Sequence, residues 1–206
     1  MAKLQLALDL TDLRKAVRLA ERAAPYCDWI EAGTPLIKAE GLEAVRALRR
    51  HFPDKVIVAD MKTMDTGAFE AGLAASAGAD LTTVCGAADI STIKGAIGEA
   101  RKRRIMAAVD LINVPPAKWK DIDRLKPDYI CLHVGIDQQK KGMDLLKLLK
   151  RLKVRSKRIV AGGITAKTAP AAVKAGAEVV VVGGAITNAK DPARAAKEIK
   201  EAMEKA

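Results

Sequence analysis

Eight short apolar runs, at residues 4–8, 29–32, 56–59, 81–84, 105–109, 129–132, 158–161 and 179–182, punctuate this chain of 206 residues. They are rich in Val, Ile and Leu and read as continuously apolar strands. Such strands must be covered on both faces, the condition of a parallel sheet wrapped in helices. The stretches between them supply the cover. Leu13, Ala16, Val17 and Ala20 recur at helical spacing, as do Leu42, Val45 and Leu48, and Leu145, Leu148, Leu149 and Leu152. Eight strand–helix units in about 200 residues predict a closed (β/α)8 barrel, one α/β domain over residues 1–206. An open doubly wound sheet is the alternative. It lacks support, because no GxGxxG follows the first run.

Local signals agree. Thr11 or Asp12, Ser91, Asp121 and Asp191 are expected as helix N-caps, with Pro192 at a first helical position. Ala77-Gly78-Ala79-Asp80 before the fourth run echoes Ala175-Gly176-Ala177-Glu178 before the eighth. Each glycine is expected to end a helix. A repeat at half the chain's units favours eightfold closure.

Composition enters through what it excludes. Half the residues are hydrophobic but only 3% are aromatic, so aliphatic side chains and alanine must fill the core. Cys27, Cys85 and Cys131 form no CxxC pair and are expected as reduced thiols of a cytosolic protein. Neither a signal peptide nor an apolar stretch long enough to span a bilayer is expected. The formal charge of +11 raises a nucleic-acid partner. Most basic residues, however, fall in helical stretches mixed with acids, and stacking aromatics are scarce. The expectation is no nucleic-acid partner, with the surplus charge steering an anionic substrate.

The polar residues with chemical potential cluster directly after the apolar runs. Asp9 follows the first, Glu31 lies in the second, and Asp60, Lys62 and Asp65 follow the third. Asp110 follows the fifth and His133 the sixth. In a barrel these strand ends converge on one face, where active sites lie. Several carboxylates crowding one mouth call for a cation. The segment Asp60-Met61-Lys62-Thr63-Met64-Asp65 is the most specific. In an extended chain Asp60 and Lys62 point to one side, so Lys62 is placed to stabilise a developing oxyanion. Glycine pairs end the last two runs, Gly162-Gly163 and Gly183-Gly184. Bare backbone amides there suit a phosphate group. His51 is expected to be exposed, Cys85 structural, and Trp29 and Trp119 packing residues.

The chain resembles the orotidine-monophosphate decarboxylase suprafamily, whose Asp-x-Lys-x-x-Asp signature matches Asp60, Lys62 and Asp65. Within it, the resemblance is to the 3-hexulose-6-phosphate synthases. It is carried by Ile30-Glu31-Ala32-Gly33-Thr34-Pro35-Leu36-Ile37, Ala59-Asp60-Met61-Lys62-Thr63-Met64-Asp65, Val109-Asp110-Leu111-Ile112, His133-Val134-Gly135-Ile136-Asp137 and Gly183-Gly184-Ala185-Ile186. The resemblance implies an aldol condensation of formaldehyde with ribulose 5-phosphate through an enediolate. It implies Mg²⁺ held by Glu31 and Asp60, His133 removing or shuttling the C1 proton, and Lys62 with the metal stabilising the anion. Asp9 and Asp110 contact sugar hydroxyls or metal-bound water in this reading. Gly163, Gly183 and Gly184 hold the phosphate. It further implies a homodimer, with Asp65 reaching into the neighbouring site. The decarboxylases of the group carry an Arg at the position of Gly184, and its absence favours the synthase. A keto-gulonate-phosphate or orotidine-monophosphate decarboxylase, a pentose-phosphate epimerase and a nucleic-acid-binding barrel are the rivals.

Overall fold

The computed structural model describes residues 1–139 and 145–206. Its strands are β1 (Lys3–Leu8), β2 (Trp29–Ala32), β3 (Val56–Thr63), β4 (Leu81–Cys85), β5 (Met106–Asp110), β6 (Tyr129–His133), β7 (Lys157–Ala161) and β8 (Val179–Val182). The helices are α1 (Leu13–Ala23), α2 (Thr34–Glu40), α3 (Glu43–His51), α4 (Gly67–Ser76), α5 (Ile90–Lys102), α6 (Trp119–Asp123), α7 (Ile136–Gln139), α8 (Leu145–Arg151), α9 (Ala169–Lys174), α10 (Gly184–Thr187) and α11 (Pro192–Glu204). Every neighbouring strand pair is parallel, and β1 pairs with both β2 and β8, so the sheet closes. The fold is the expected (β/α)8 barrel. No helix among the described residues is long and apolar enough to cross a membrane.

Alternation along each strand sorts the core into two shells. Leu4, Leu6, Leu8, Ile30, Ile57 and Ile130 face the helices. Ala7, Trp29, Val58, Leu81, Ala108 and Tyr129 face into the barrel. With so few aromatics, one edge-to-face pair plugs the lower end: Trp29 and Tyr129, centroids 5.5 Å apart. Trp119 is buried and donates its indole N–H to Val114 O at 3.1 Å. Both tryptophans are packing residues, as expected.

A fourfold device closes the lower rim. The acid immediately before each even strand accepts a backbone N–H from the start of the preceding odd strand. Asp28 accepts from Leu4 at 2.8 Å, Asp80 from Ile57 at 2.7 Å, Asp128 from Ala107 at 2.9 Å and Glu178 from Arg158 at 2.5 Å. The backbone N–H of each acid returns a bond to the carbonyl of the same partner. Strand-end amides that enter a packed core are thereby paired. The echo between residues 77–80 and 175–178 is two of these four clasps, and Gly78 and Gly176 end α4 and α9 with φ of 94° and 93°.

Three local expectations need correction. Asp12 and Asp191 cap α1 and α11, but Ser91 does not cap α5; Asp89 does, accepting from Ser91 N at 2.7 Å. Both residues suit a cap, and the chain turns earlier because Ile90 already starts the helix. Asp121 lies inside the first turn of α6, whose entry follows the 3-10 segment Pro116–Lys118. Finally, β3 runs on to Thr63, past the expected end at Ala59. Its pairing with β4 shifts between Ala59 and Thr63, and Lys62 has φ 44°, so the extension contains a bulge.

Candidate active site

The inward positions of the strands run out, at the upper rim, into polar residues. Glu31, Asp60, Thr83, Asp110 and His133 all share the inward parity of β2 to β6, and Asp9 continues that of β1. Sequence position alone therefore delivers their side chains to one mouth. Glu31, Asp60 and Asp110 are buried, while Asp9 sits at the open rim.

Asp60 is the hub. One oxygen accepts from Thr83 Oγ1 at 2.7 Å; the other accepts from Thr34 Oγ1 at 2.8 Å and from Lys62 Nζ. Lys62 Nζ also lies 3.6 Å from Asp110 Oδ2. The side chains of Asp60 and Lys62 do share a side, but through the bulge at Lys62 rather than along a regular extended strand. The backbone N–H of Lys62 donates to Thr83 Oγ1 at 2.9 Å, and Cys85 Sγ donates to its carbonyl at 3.2 Å. Those bonds hold the left-handed conformation in place. Asp110 spends Oδ1 on the N–H of Ile112 at 2.8 Å and sets Oδ2 2.8 Å from His133 Nδ1. That contact makes Nδ1 the protonated nitrogen and leaves Nε2 as the acceptor. Nε2 has no partner among the described residues.

The charges are unbalanced. Burial, and then repulsion from Asp60 and Asp9, pushes Glu31 well above the usual carboxylate range, although Gln5 Nε2 donates to it at 2.6 Å. Partial desolvation and the Asp60 charge also raise Asp9. Burial alone would raise Asp60 too. The ammonium of Lys62 and the bonds from Lys62, Thr83 and Thr34 outweigh it and hold that group below its ordinary value. Burial disfavours the charge on Lys62, yet Asp60, Asp110 and Glu31 together keep it firmly protonated. Burial, reinforced by Asp110, raises the Cys85 thiol to about 11, which suits a packing residue and not a nucleophile.

Hard carboxylate oxygens that repel one another are the donor set a small divalent cation needs. Glu31 and Asp60 fit that role. Among the described residues no three or more His, Cys, Asp or Glu side chains are grouped to hold a metal unaided. A cation here must complete its shell from substrate and water.

The remaining expectations divide. Gly163 (φ 65°) and Gly183-Gly184 lie past the upper ends of β7 and β8, and Gly183 opens α10. The first amides of a helix lack intrahelical partners, so they are available to an anion. Asp65 stands apart: it is exposed, and its carboxylate accepts the N–H of Thr66 at 2.7 Å. His51 is exposed and lies 3.2 Å from Glu21.

Four contributors escaped sequence reading. Gln5, Thr34 and Thr83 orient Glu31 and Asp60. The parity of β1 and β4 marks Gln5 and Thr83, because a polar residue facing into a barrel needs a polar reason. Gly33 is the fourth: a Cβ there would fall 2.8 Å from the backbone oxygen of Leu8 and would displace the carboxylate of Asp9, whose Oδ1 lies 2.2 Å from that position.

A family model described as orotidine 5'-phosphate decarboxylase / HUMPS family matches residues 2–199. The chain is 48% identical over 205 residues to 3-hexulose-6-phosphate synthase of Mycobacterium gastri, covering 98% of this chain and 99% of that one. It is 42% identical to the enzyme of the same name from Bacillus subtilis, over 97% of each. Among solved structures, 3-hexulose-6-phosphate synthase from Salmonella typhimurium superposes with a TM-score of 0.94 at 36% identity, over 98% of this chain and 99% of that one. A KGPDC from Streptococcus mutans superposes at 0.92 with 30% identity, over 99% and 98%. Superposition hardly separates the two, whereas identity is higher to the synthases. With nearly its whole length matched, the chain belongs to the orotidine 5'-phosphate decarboxylase / HUMPS family.

Proposed function

We propose that this enzyme condenses formaldehyde with D-ribulose 5-phosphate to a 3-hexulose 6-phosphate, using Mg²⁺ at Glu31 and Asp60. The observation that carries the reading is the shared carboxylate of Asp110. It orients His133 on one side and lies within ion-pair distance of Lys62 on the other. A base and an oxyanion stabiliser are thus held in fixed relation, as proton abstraction beside a ketone requires.

The sugar phosphate enters with its phosphate on the amides around Gly163, Gly183 and Gly184. His133 Nε2 removes a proton from C1, and Asp110 stabilises the resulting imidazolium. Lys62 donates to the oxygen on which negative charge grows. Asp9, at the rim, accepts from a sugar hydroxyl. Bound Mg²⁺ supplies Lewis-acid polarisation of the ketone. C1 then bonds to the formaldehyde carbon, and the imidazolium returns its proton to the new alkoxide. Gly184, standing where the decarboxylases carry Arg, offers no bidentate clamp, so the phosphate rests mainly on backbone amides.

The test separates the half-reactions. With Mg²⁺ and no formaldehyde, the C1 proton of ribulose 5-phosphate should exchange with deuterated solvent, and chelation should stop it. His133→Ala should slow exchange strongly. Adding formaldehyde should give the hexulose. Failure of both exchange and condensation, alongside rapid CO₂ loss from a β-keto-acid sugar phosphate, overturns the reading.

The same reading takes the active form as a homodimer. Helix α4 is apolar on nearly every face, and Phe69 is 68% exposed and Met64 54%, with Leu73 and Ile90 nearby in the α4–α5 pair. A helix of that kind calls for a cover, and Asp65 lies beside it. Mixing Asp65→Ala with Lys62→Ala protein should restore part of the activity if Asp65 serves the partner's mouth. A fully active monomer in light scattering would refute it.

A further inference from the structure

The cations at the lower end of the barrel are not consumed by the catalytic reading. A cleft of about 660 Å³ opens there, at the end opposite the catalytic mouth, between the segments that lead into β6 and β7. Its walls include Lys120, Arg124, Lys126, Lys153, Arg155 and Ser156, with Asp123 the one acid among the lining residues. A smaller cleft of about 380 Å³ shares Arg155 and Ser156 and adds one cation, Arg158, and one acid, Glu178.

The walls are built rather than frayed. Asp123 accepts from the N–H groups of Arg155 and Ser156, each at 2.9 Å, and from Ser156 Oγ at 2.7 Å. Arg101 donates to the carbonyl of Lys126 at 2.5 Å, fixing the left-handed turn there (φ 58°). The one acid is thus occupied in bracing the cleft. Arg124 is paired with Asp121 at 2.6 Å. Lys120, Lys126 and Lys153 have no acidic partner within 4.0 Å among the described residues, and the charge of Arg155 acts on Asp123. Cations in excess of the one acid repel each other around this concavity, and a compact polyanion removes that repulsion.

We propose that this cleft is a second binding site, for a small ligand carrying two or more clustered phosphate groups. The volume lies in the range of small-molecule sites. No aromatic side chain lines it, so nothing stacks on a base, and recognition falls on the phosphates alone. A concave site walled by two loops suits a compact ligand better than a nucleic-acid backbone, which needs an extended track. The site is independent of which reaction the upper mouth performs.

Calorimetric titration of the full chain with inorganic tripolyphosphate, at about 0.15 M salt, tests it. One equivalent should bind. Lys153→Ala and Arg155→Ala should each weaken binding by about tenfold, the loss expected of one charge-assisted hydrogen bond. Turnover at the upper mouth should be unchanged in both variants. Parallel titrations with ATP and with a sugar bisphosphate distinguish a contiguous phosphate chain from two spaced phosphates, and binding of either upholds the site. Competition by ribulose 5-phosphate, or binding that survives both substitutions, would place the anion elsewhere and overturn the proposal. So would a duplex oligonucleotide that binds in preference to tripolyphosphate and is released by salt.

Discussion

Lys62 carries the site twice over, once through its ammonium and once through its backbone. The side chain sits between Asp60 and Asp110, and the left-handed φ is what aims it there. A positive φ costs a non-glycine residue on the order of 1 kcal/mol or more, a strain that a bulge with fixed hydrogen bonds sustains. Replacing Lys62 with Ala should lower kcat by about 10²–10³, because the lost interaction strengthens as the oxyanion forms. Steady-state kinetics decide the point. A change confined to KM would make Lys62 a ground-state contact. The charged residues of the candidate site were legible because they sit in or directly after apolar runs. Thr34 was not, since a neutral polar side chain reads the same in a cap, a loop or a core, and Gln5 and Thr83 stand out only once the inward parity of β1 and β4 is known. The bulge was also hidden: nothing in Asp60-Met61-Lys62 marks a register shift.

The strands were read to within a few residues because a short apolar run between turn signals fits little but a buried strand, and their errors share a direction. Most observed strands begin or end on a polar residue that pairs its backbone while its side chain does something else, as Asp110 and His133 do at the upper rim. At the lower rim the acid clasps are a case of local sequence carrying global closure. The acids at 28, 80, 128 and 178 recur at almost equal spacing and tie each odd strand to the next even one. Asp128 is the cleanest to remove, because Asp28 also pairs with Lys200 and Asp80 with Arg49. Asp128→Ala leaves the N–H of fully buried Ala107 without its carboxylate. The expected loss is about 1–3 kcal/mol of stability with kcat unaltered. Urea denaturation measures it. An unchanged midpoint would show that the reciprocal backbone bond suffices.

For the molecule as a whole, closure was legible from the count of units and the crowding of carboxylates from their places after the runs, but which of them carries the excess charge was not, because that depends on burial and hydrogen bonds. Asp9, Glu31, Asp60 and Asp110 meet one ammonium, and Glu31 bears the consequence. Its carboxyl is raised by burial, then by Asp60 and Asp9, so the native protein holds a proton that the unfolded chain releases at lower pH. Between the ordinary glutamate value and the raised one, the native state binds more protons. Unfolding free energy from this group therefore falls as pH rises through that window. The contribution is complete below the unfolded value and gone above the folded one. Glu31→Gln removes the titration while keeping the bulk and an acceptor for Gln5. In metal-free buffer the melting temperature of the parent, measured against that of Glu31→Gln, should decline as pH rises through this interval. Adding Mg²⁺ should reverse the decline at the high-pH end, since a cation competes with the proton for the same oxygens. The paired melts separate Glu31 from every other titrating group. A difference that stays flat with pH would show that Glu31 is ionised throughout, and that the crowded mouth relieves its charge by some means other than a proton or a metal.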